Sequence, residues 1–177
     1  YDLSDTYMKD GQALVKTGED TGNGWTEFET RKKGDYEKIL ARCNGNDATY
    51  SEWLVISKDG RRRYYGDAEK SWTGAGVGRK FSWHLTREED TFGNTITYSY
   101  INDNNTVYPS EIRYTGHKDT PGSWAVRFEY ERDGGGEYVT RPDARTDARG
   151  RFLALDRLRL SEIVTEYKGK PLKRVRV

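Results

Sequence analysis

This chain has little of what most site chemistry needs. A single cysteine, Cys43, excludes an internal disulfide. That cysteine and two histidines, His84 and His117, supply no zinc-ligand spacing. No apolar run approaches the ~20 residues that span a bilayer, so this segment inserts into no membrane as a helix. No signal-peptide pattern is present. Lys and Arg total 30 against 29 for Asp and Glu, a net charge of +1. A balance that even gives no long-range field for nucleic acid or a membrane surface. The clusters Arg61-Arg62-Arg63 and Lys173-Arg174 read as solvated strand ends. Apolar residues are scarce as well, 33% of the chain against 33% charged, a ratio that leans toward disorder.

What is there reverses that leaning. Thirteen tyrosines and five tryptophans supply amphipathic rings for the core that Leu and Ile do not build. The 177 residues fit a single domain over 1–177, or a piece of a larger one. Beginning at Tyr1 and ending in the strand-like run Arg174-Val175-Arg176-Val177, the chain is expected to be a fragment of a longer protein.

The richest stretch is Phe81 to Tyr100. Phe81, Trp83 and Leu85 alternate on one flank, and Ile96, Tyr98 and Tyr100 on the other. Between them Asp90-Thr91-Phe92-Gly93-Asn94 is a turn: the Asp90 carboxylate accepts from amides two residues on, and Gly93 and Asn94 tolerate positive φ. The expectation is a β-hairpin with one wet and one aromatic face. Further strands are expected over Gln12–Thr17, Trp25–Thr30, Tyr36–Cys43, Thr49–Ser57, Arg61–Tyr65, Phe81–Arg87, Thr95–Ile101, Val107–Tyr114, Trp124–Tyr130 and Phe152–Tyr167, the last bulged or broken. Lys58-Asp59-Gly60 and Lys168-Gly169-Lys170-Pro171 are turns, with Asp59 and Gly60 setting the first. Ser71–Gly78 and Asn102–Thr106 read as loops, and residues 141–150 as a polar linker. Helical periodicity is weak throughout. The fold expected is all-β, an antiparallel meander of twisted strands, with Trp83 and Phe128 in its core.

The order of these segments resembles a known family. Trp53…Lys58-Asp59-Gly60…Tyr65-Gly66, then Trp83-His84-Leu85-Thr86-Arg87 with Asp90-x-x-Gly93-Asn94-Thr95-Ile96-Thr97-Tyr98-x-Tyr100, then Tyr108-Pro109-Ser110-x-Ile112-Arg113-Tyr114-Thr115-Gly116 is similar to the SpvB-type N-terminal domain. Val126-Arg127-Phe128-Glu129-Tyr130, Arg157-Leu158 and the opening Tyr7-Met8-Lys9-Asp10-Gly11-Gln12 continue the pattern. His84 departs from it, standing where the family more often has another aromatic. Such domains occur in Salmonella SpvB and in the B component of insecticidal Tc toxin complexes. The resemblance implies a non-catalytic wall of a large β-sheet shell, related to Rhs and YD-repeat proteins, that encloses a toxic C-terminal region. It also implies a secreted or cell-surface bacterial protein with no cofactor. The implied partners are other domains of the same large protein or toxin-complex subunits.

Several short acidic, glycine-rich and aromatic stretches offer candidate chemistry. Glu27-Phe28-Glu29 has the Glu-x-Glu spacing of the ADP-ribosyltransferases that SpvB-like proteins carry, yet the accompanying Ser-Thr-Ser strand and upstream arginine are absent. A strand with a wet glutamate face accounts for it better. Glu88-Glu89-Asp90 sits at an exposed tip, which offers no apolar pocket to split paired carboxylate pKa values. The EF-hand spacing is missing too, leaving a surface calcium site at Asp90 and Asn94 as a minor alternative. Gly74-Ala75-Gly76-Val77-Gly78 lacks the following helix of a phosphate loop. The main alternative to a scaffold is a binding module for glycans or protein partners, with Trp72 the tryptophan expected to be exposed for stacking on a sugar ring. Trp53, Trp83 and Trp124, on strands, read as core.

Overall fold

The computed structural model describes residues 5–18, 24–32, 34, 36–43, 49–68, 70–74 and 80–177. Among these residues every helix or strand is a strand, so the chain is all-β. They gather into two compact units, Tyr1–Phe92 and Gly93–Val177.

The first unit is a meander. Strands β1 (Met8–Lys9), β2 (Gln12–Lys16), β3 (Thr26–Thr30), β4 (Lys38–Arg42), β5 (Glu52–Ile56) and β6 (Arg62–Tyr65) pair antiparallel in chain order. Next comes a two-stranded excursion of β7 (Trp72–Gly74) and β8 (Lys80–Trp83), after which β9 (Leu85–Glu89) returns beside β6. Alternation builds the core, because successive strand side chains point to opposite faces. Phe28, Ile39 and Val55 are buried on one face, with Ile39 opposite Val55 and Ala41 opposite Trp53. Tyr7, Tyr50 and Trp53 close over them edge-to-face or tilted, with ring centroids 5.1–5.6 Å apart. Edge-to-face contact suits the ring quadrupoles and adds to the burial of apolar area.

Turn chemistry is visible at both aspartates. The Asp59 carboxylate accepts from the Arg61 amide at 3.1 Å, and Gly60 adopts φ 83. The Asp90 carboxylate accepts from the Phe92 amide at 2.9 Å.

The strand expected over Phe81–Arg87 is interrupted. The ladder breaks at His84, whose amide donates to the Ser71 carbonyl at 2.7 Å while its own carbonyl accepts from the Gly66 amide at 3.1 Å. Residues before the break pair with β7 and residues after it with β6. Phe81 therefore lies on a different ladder from Leu85 and is 40% exposed. In the stretch expected to be a loop, Trp72–Gly74 is a strand; Ala75–Gly78 lie outside the described residues.

In the second unit β10 (Asn94–Asp103), β11 (Thr106–His117), β12 (Trp124–Tyr130), β15 (Leu160–Tyr167) and β16 (Lys170–Arg176) form an antiparallel sheet in that order. Gly93 enters it with φ 84, and Asn94, opposite His117, is already its first strand residue. Asn104 and Asn105, at φ 48 and 61, make the two-residue turn between β10 and β11. Two successive positive φ angles match the strand twist, and asparagine tolerates them. Lys168 and Gly169 do the same between β15 and β16. Between β12 and β15 the chain makes a long excursion in which β13 (Arg145–Asp147) pairs with β14 (Ala154–Asp156). Arg145–Asp147 falls inside the polar stretch 141–150, and the broken strand expected over Phe152–Tyr167 appears as β14 and β15.

Candidate functional site

The sheet of the second unit has two chemically opposite faces. Cross-strand register places Tyr98, Ile112, Val126, Thr165 and Lys173 in one row, and Tyr114, Trp124 and Tyr167 in the next. Phe128, Ile163 and Val175 make a third row on the same face. Its buried core is small: Tyr108, Tyr130 and Leu158, at the end covered by the β12–β15 excursion. Away from that end Ile112, Val126 and Ile163 are only half-buried, and Tyr167 and Val175 are exposed. Trp124 stands between Tyr114, stacked at 17° and 6.3 Å, and Tyr167, tilted at 4.9 Å.

The other face is ionic. Arg113 grips Glu111 through two bonds of 2.9 Å, and Arg127 reaches Glu129 and Glu166 at 3.1 and 3.2 Å. Arg174 pairs with Glu162. Ala125 and Val164 lie fully buried on this face among the arginine-bearing positions.

A polar anchor holds the excursion to the sheet. The Tyr108 hydroxyl accepts from the amides of Arg157 at 2.8 Å and Leu158 at 3.3 Å, and its own proton points to the Asp156 carboxylate at 3.1 Å or the Leu155 carbonyl. The Arg157 guanidinium forks onto Asp103 at 2.8 and 2.9 Å. Burial pushes the Asp103 carboxyl upward, but the Arg157 fork and the Asn104 amide outweigh it and hold the group below its ordinary range. Tyr130 gives its proton to the Pro109 carbonyl, and burial raises that hydroxyl to about 12.

The first unit carries a cleft of about 540 Å³. Its lining combines apolar Leu14, Ile39 and Val55, the rings of Tyr7, Trp53, Tyr65 and Trp83, and the polar Asp5, Thr6, Lys9, Asp10 and Ser82. Lys9 is ion-paired with Asp10 at 2.7 Å and with Glu37 at 2.8 Å, and Glu37 continues to Arg63 at 3.3 Å. The indole N–H groups of Trp53 and Trp83 are buried without an acceptor among the described residues.

Other residues singled out from the sequence lie apart from one another. Trp72 is a half-buried strand residue opposite Trp83, with the Lys80 ammonium 5.3 Å from its ring centroid. The exposed loop position that a sugar-stacking tryptophan requires is therefore not the position Trp72 occupies. Glu27 and Glu29 flank buried Phe28 on β3, with Glu27 3.8 Å from Lys38. His84 is held below its ordinary 6.5 by burial, its Nε2 3.3 Å from the Thr73 hydroxyl. His117 is exposed, and Cys43 packs against the aromatic core. Among the described residues no group of three or more His, Cys, Asp or Glu is gathered that could hold a metal ion. Neither the cleft nor the Tyr108 anchor has a local sequence signal, although Tyr7, Trp83, Tyr108 and Arg157 all fall in the family-like motifs.

No curated protein matches by sequence. The N-terminal domain of effector protein SpvB from Salmonella typhimurium strain LT2 superposes with a TM-score of 0.74 at 13% identity, over 89% of this chain and 68% of that one. The crystal structure of TcdB2-TccC3-Cdc42 gives a TM-score of 0.80 at 15% identity, over 94% of this chain and 10% of that one. A Tc holotoxin pore of Photorhabdus luminescens gives 0.75 at 15% identity, over 89% and 10%. The chain thus spans about two thirds of the Salmonella domain and a tenth of the Tc chains, and at these identities the likeness is one of fold. The family model for SpvB, described as Salmonella virulence plasmid 65kDa B protein, matches residues 2–130. That match takes in most of the chain, which accordingly belongs to the SpvB family.

Proposed function

We propose that this chain is a non-catalytic structural segment of a large secreted or surface-delivered bacterial toxin-like protein, a piece of β wall that carries or encloses other domains. The observation behind this reading is the aromatic face of the second unit, whose Ile112, Val126 and Ile163 rows are left half-exposed while the opposite face is laced with ion pairs. Apolar strand faces of that kind are normally covered by a second layer, and contiguous exposed ones mark interaction surfaces. Support also comes from β16: all of its residues are exposed and, among the described residues, it pairs only with β15. The backbone groups on that edge are open to a further strand, although Lys170, Pro171 and Lys173 are of the types that blunt such pairing. The fold likeness fits such a role, since in the Tc chains the same fold is a small part of a much longer polypeptide. The partners in this reading are other domains of the parent protein or other toxin subunits.

The test is Val126→Asp, placed in this chain and in the longer protein that carries it. The isolated chain should keep its β circular dichroism, because Val126 is half-exposed, while the longer protein should fail to assemble into a protease-resistant particle. Normal assembly would remove the reading. So would NAD hydrolysis by the chain that disappears in Glu29→Gln.

A further inference from the structure

The geometry of the first unit's cleft points to a ligand, independent of any wall role: we propose that it binds organic cations with an apolar body and an ammonium or guanidinium head. Three features define that chemistry. The volume of about 540 Å³ is that of a small-molecule site, and its lining includes the apolar Leu14, Ile39 and Val55. Four aromatic residues, Tyr7, Trp53, Tyr65 and Trp83, line it, and the face of such a ring attracts a cation and repels an anion. The charged rim has the same preference. Asp5 and Asp10 set against Lys9 give two negative charges and one positive, a surplus of one negative, and Lys9 already touches the carboxylates of Asp10 and Glu37. An ammonium placed near that surplus is favoured over an uncharged group of the same shape by about fivefold per unit charge in a high-dielectric mouth.

The probes are benzyltrimethylammonium, benzyl alcohol and phenylmethanesulfonate, titrated into the whole chain. The indole N–H resonances of Trp53 and Trp83 serve as reporters, assigned by loss of one signal in Trp83→Phe. The expected order is cation tightest, alcohol roughly fivefold weaker, and sulfonate without measurable effect. Asp5→Asn combined with Asp10→Asn should weaken the cation about fivefold or more and leave the alcohol unchanged. Asparagine is the suitable replacement because residue 10 has φ 50, and asparagine tolerates the left-handed region. High salt should reduce the cation's advantage, since the rim is solvent-exposed. Acetyl-Phe-Arg-amide separates the two sources of such a group: tighter binding than the free ammonium assigns the cleft to a partner's side chain, weaker binding to a free amine, and both uphold the chemistry. Equal shifts from cation and sulfonate, no shift from either, or a cation affinity unmoved by the double substitution would overturn it.

Discussion

Replacing Tyr108 by Phe removes one oxygen and keeps the ring, which meets Tyr130 edge-to-face at 5.5 Å. That oxygen accepts from two amides, Arg157 at 2.8 Å and Leu158 at 3.3 Å. Leu158 is 3% exposed, so water does not replace the lost acceptor there, and a buried unsatisfied donor costs about 1–3 kcal/mol. The Arg157 amide, nearer the surface, loses the smaller net worth of an ordinary hydrogen bond, about 0.5–1.5 kcal/mol. Asp156 loses a donor too, but its side chain is 47% exposed and rehydrates. The sum is about 2–4 kcal/mol, directed at the attachment of the excursion to the sheet rather than at the sheet itself. Native-state hydrogen exchange reads this directly. Protection should fall by roughly 30- to 1,000-fold at Leu155, Arg157 and Leu158, with β11 and β12 changing far less. A loss below about 0.5 kcal/mol, or one spread evenly over the unit, would show that the hydroxyl is not the anchor.

Two further predictions concern the first unit. Gly66 has φ +73, and a Cβ there would strike the Trp83 indole at Cδ1 and come within 2.8 Å of the Ser51 carbonyl oxygen. Gly66→Ala should therefore destabilise the unit by about 2–4 kcal/mol in urea unfolding, combining left-handed strain with overpacking, and a variant within about 0.5 kcal/mol of the parent would contradict that geometry. His84 gives a pH dependence with a definite sign. Its folded pKa lies below the ordinary 6.5 because burial disfavours the imidazolium, so the unfolded chain binds more protons. Stability contributed by the neutral ring is complete above that ordinary value and is lost as pH falls through it toward the folded pKa; His84→Gln should flatten the urea midpoint's dependence over that window, and an unchanged slope would refute the assignment.

The sequence spoke most clearly where local chemistry and tertiary pairing agree. Trp124–Tyr130 alternates cleanly and is a strand with those very bounds, because both neighbours, β11 and β15, are in register with it. The turns at Asp59-Gly60 and Lys168-Gly169 needed only their own backbone conformations to be legible. Phe81–Leu85 misled because apolar alternation ran straight through a change of hydrogen-bonding partner at His84, which periodicity does not record. Trp72 misled for a related reason: its glycine-rich surroundings resembled a loop, and pairing with Trp83 made it a strand. The strand-like run at Arg174-Val175-Arg176-Val177 marks the end of β16, but with every residue exposed its start at Lys170 follows only from register with β15. The Tyr108 anchor joins residues 47 to 50 positions apart, and the cleft assembles side chains from Asp5 to Trp83, so neither leaves a short-range signal. Gly122 is another such case. It stands out only because its Cβ would collide with the Tyr114 backbone.

The charge content, which on composition alone leans toward disorder, has a structural explanation in the same sheet. With 30 basic and 29 acidic residues the net charge says nothing about arrangement. On the ionic face of the second unit, Arg113 pairs with Glu111, Arg127 with Glu129 and Glu166, and Arg174 with Glu162, within a strand or across a ladder. Exposed pairs of this kind contribute only about 0–1 kcal/mol each, too little to hold a fold together. Their larger effect comes from packing, since the arginine and glutamate stems can cover apolar surface while their heads stay wet. Val164, with none of its surface exposed, and Ala125 sit among such stems. That face is thereby completed without a second protein layer, and covering it with apolar groups would strip solvent from a whole lattice of charges. The aromatic face has no comparable device, and its Val126 and Ile163 rows remain partly open to water. On the proposed wall role, an apolar layer added to this sheet should therefore meet the aromatic side, since the ionic face would lose the hydration of its charges.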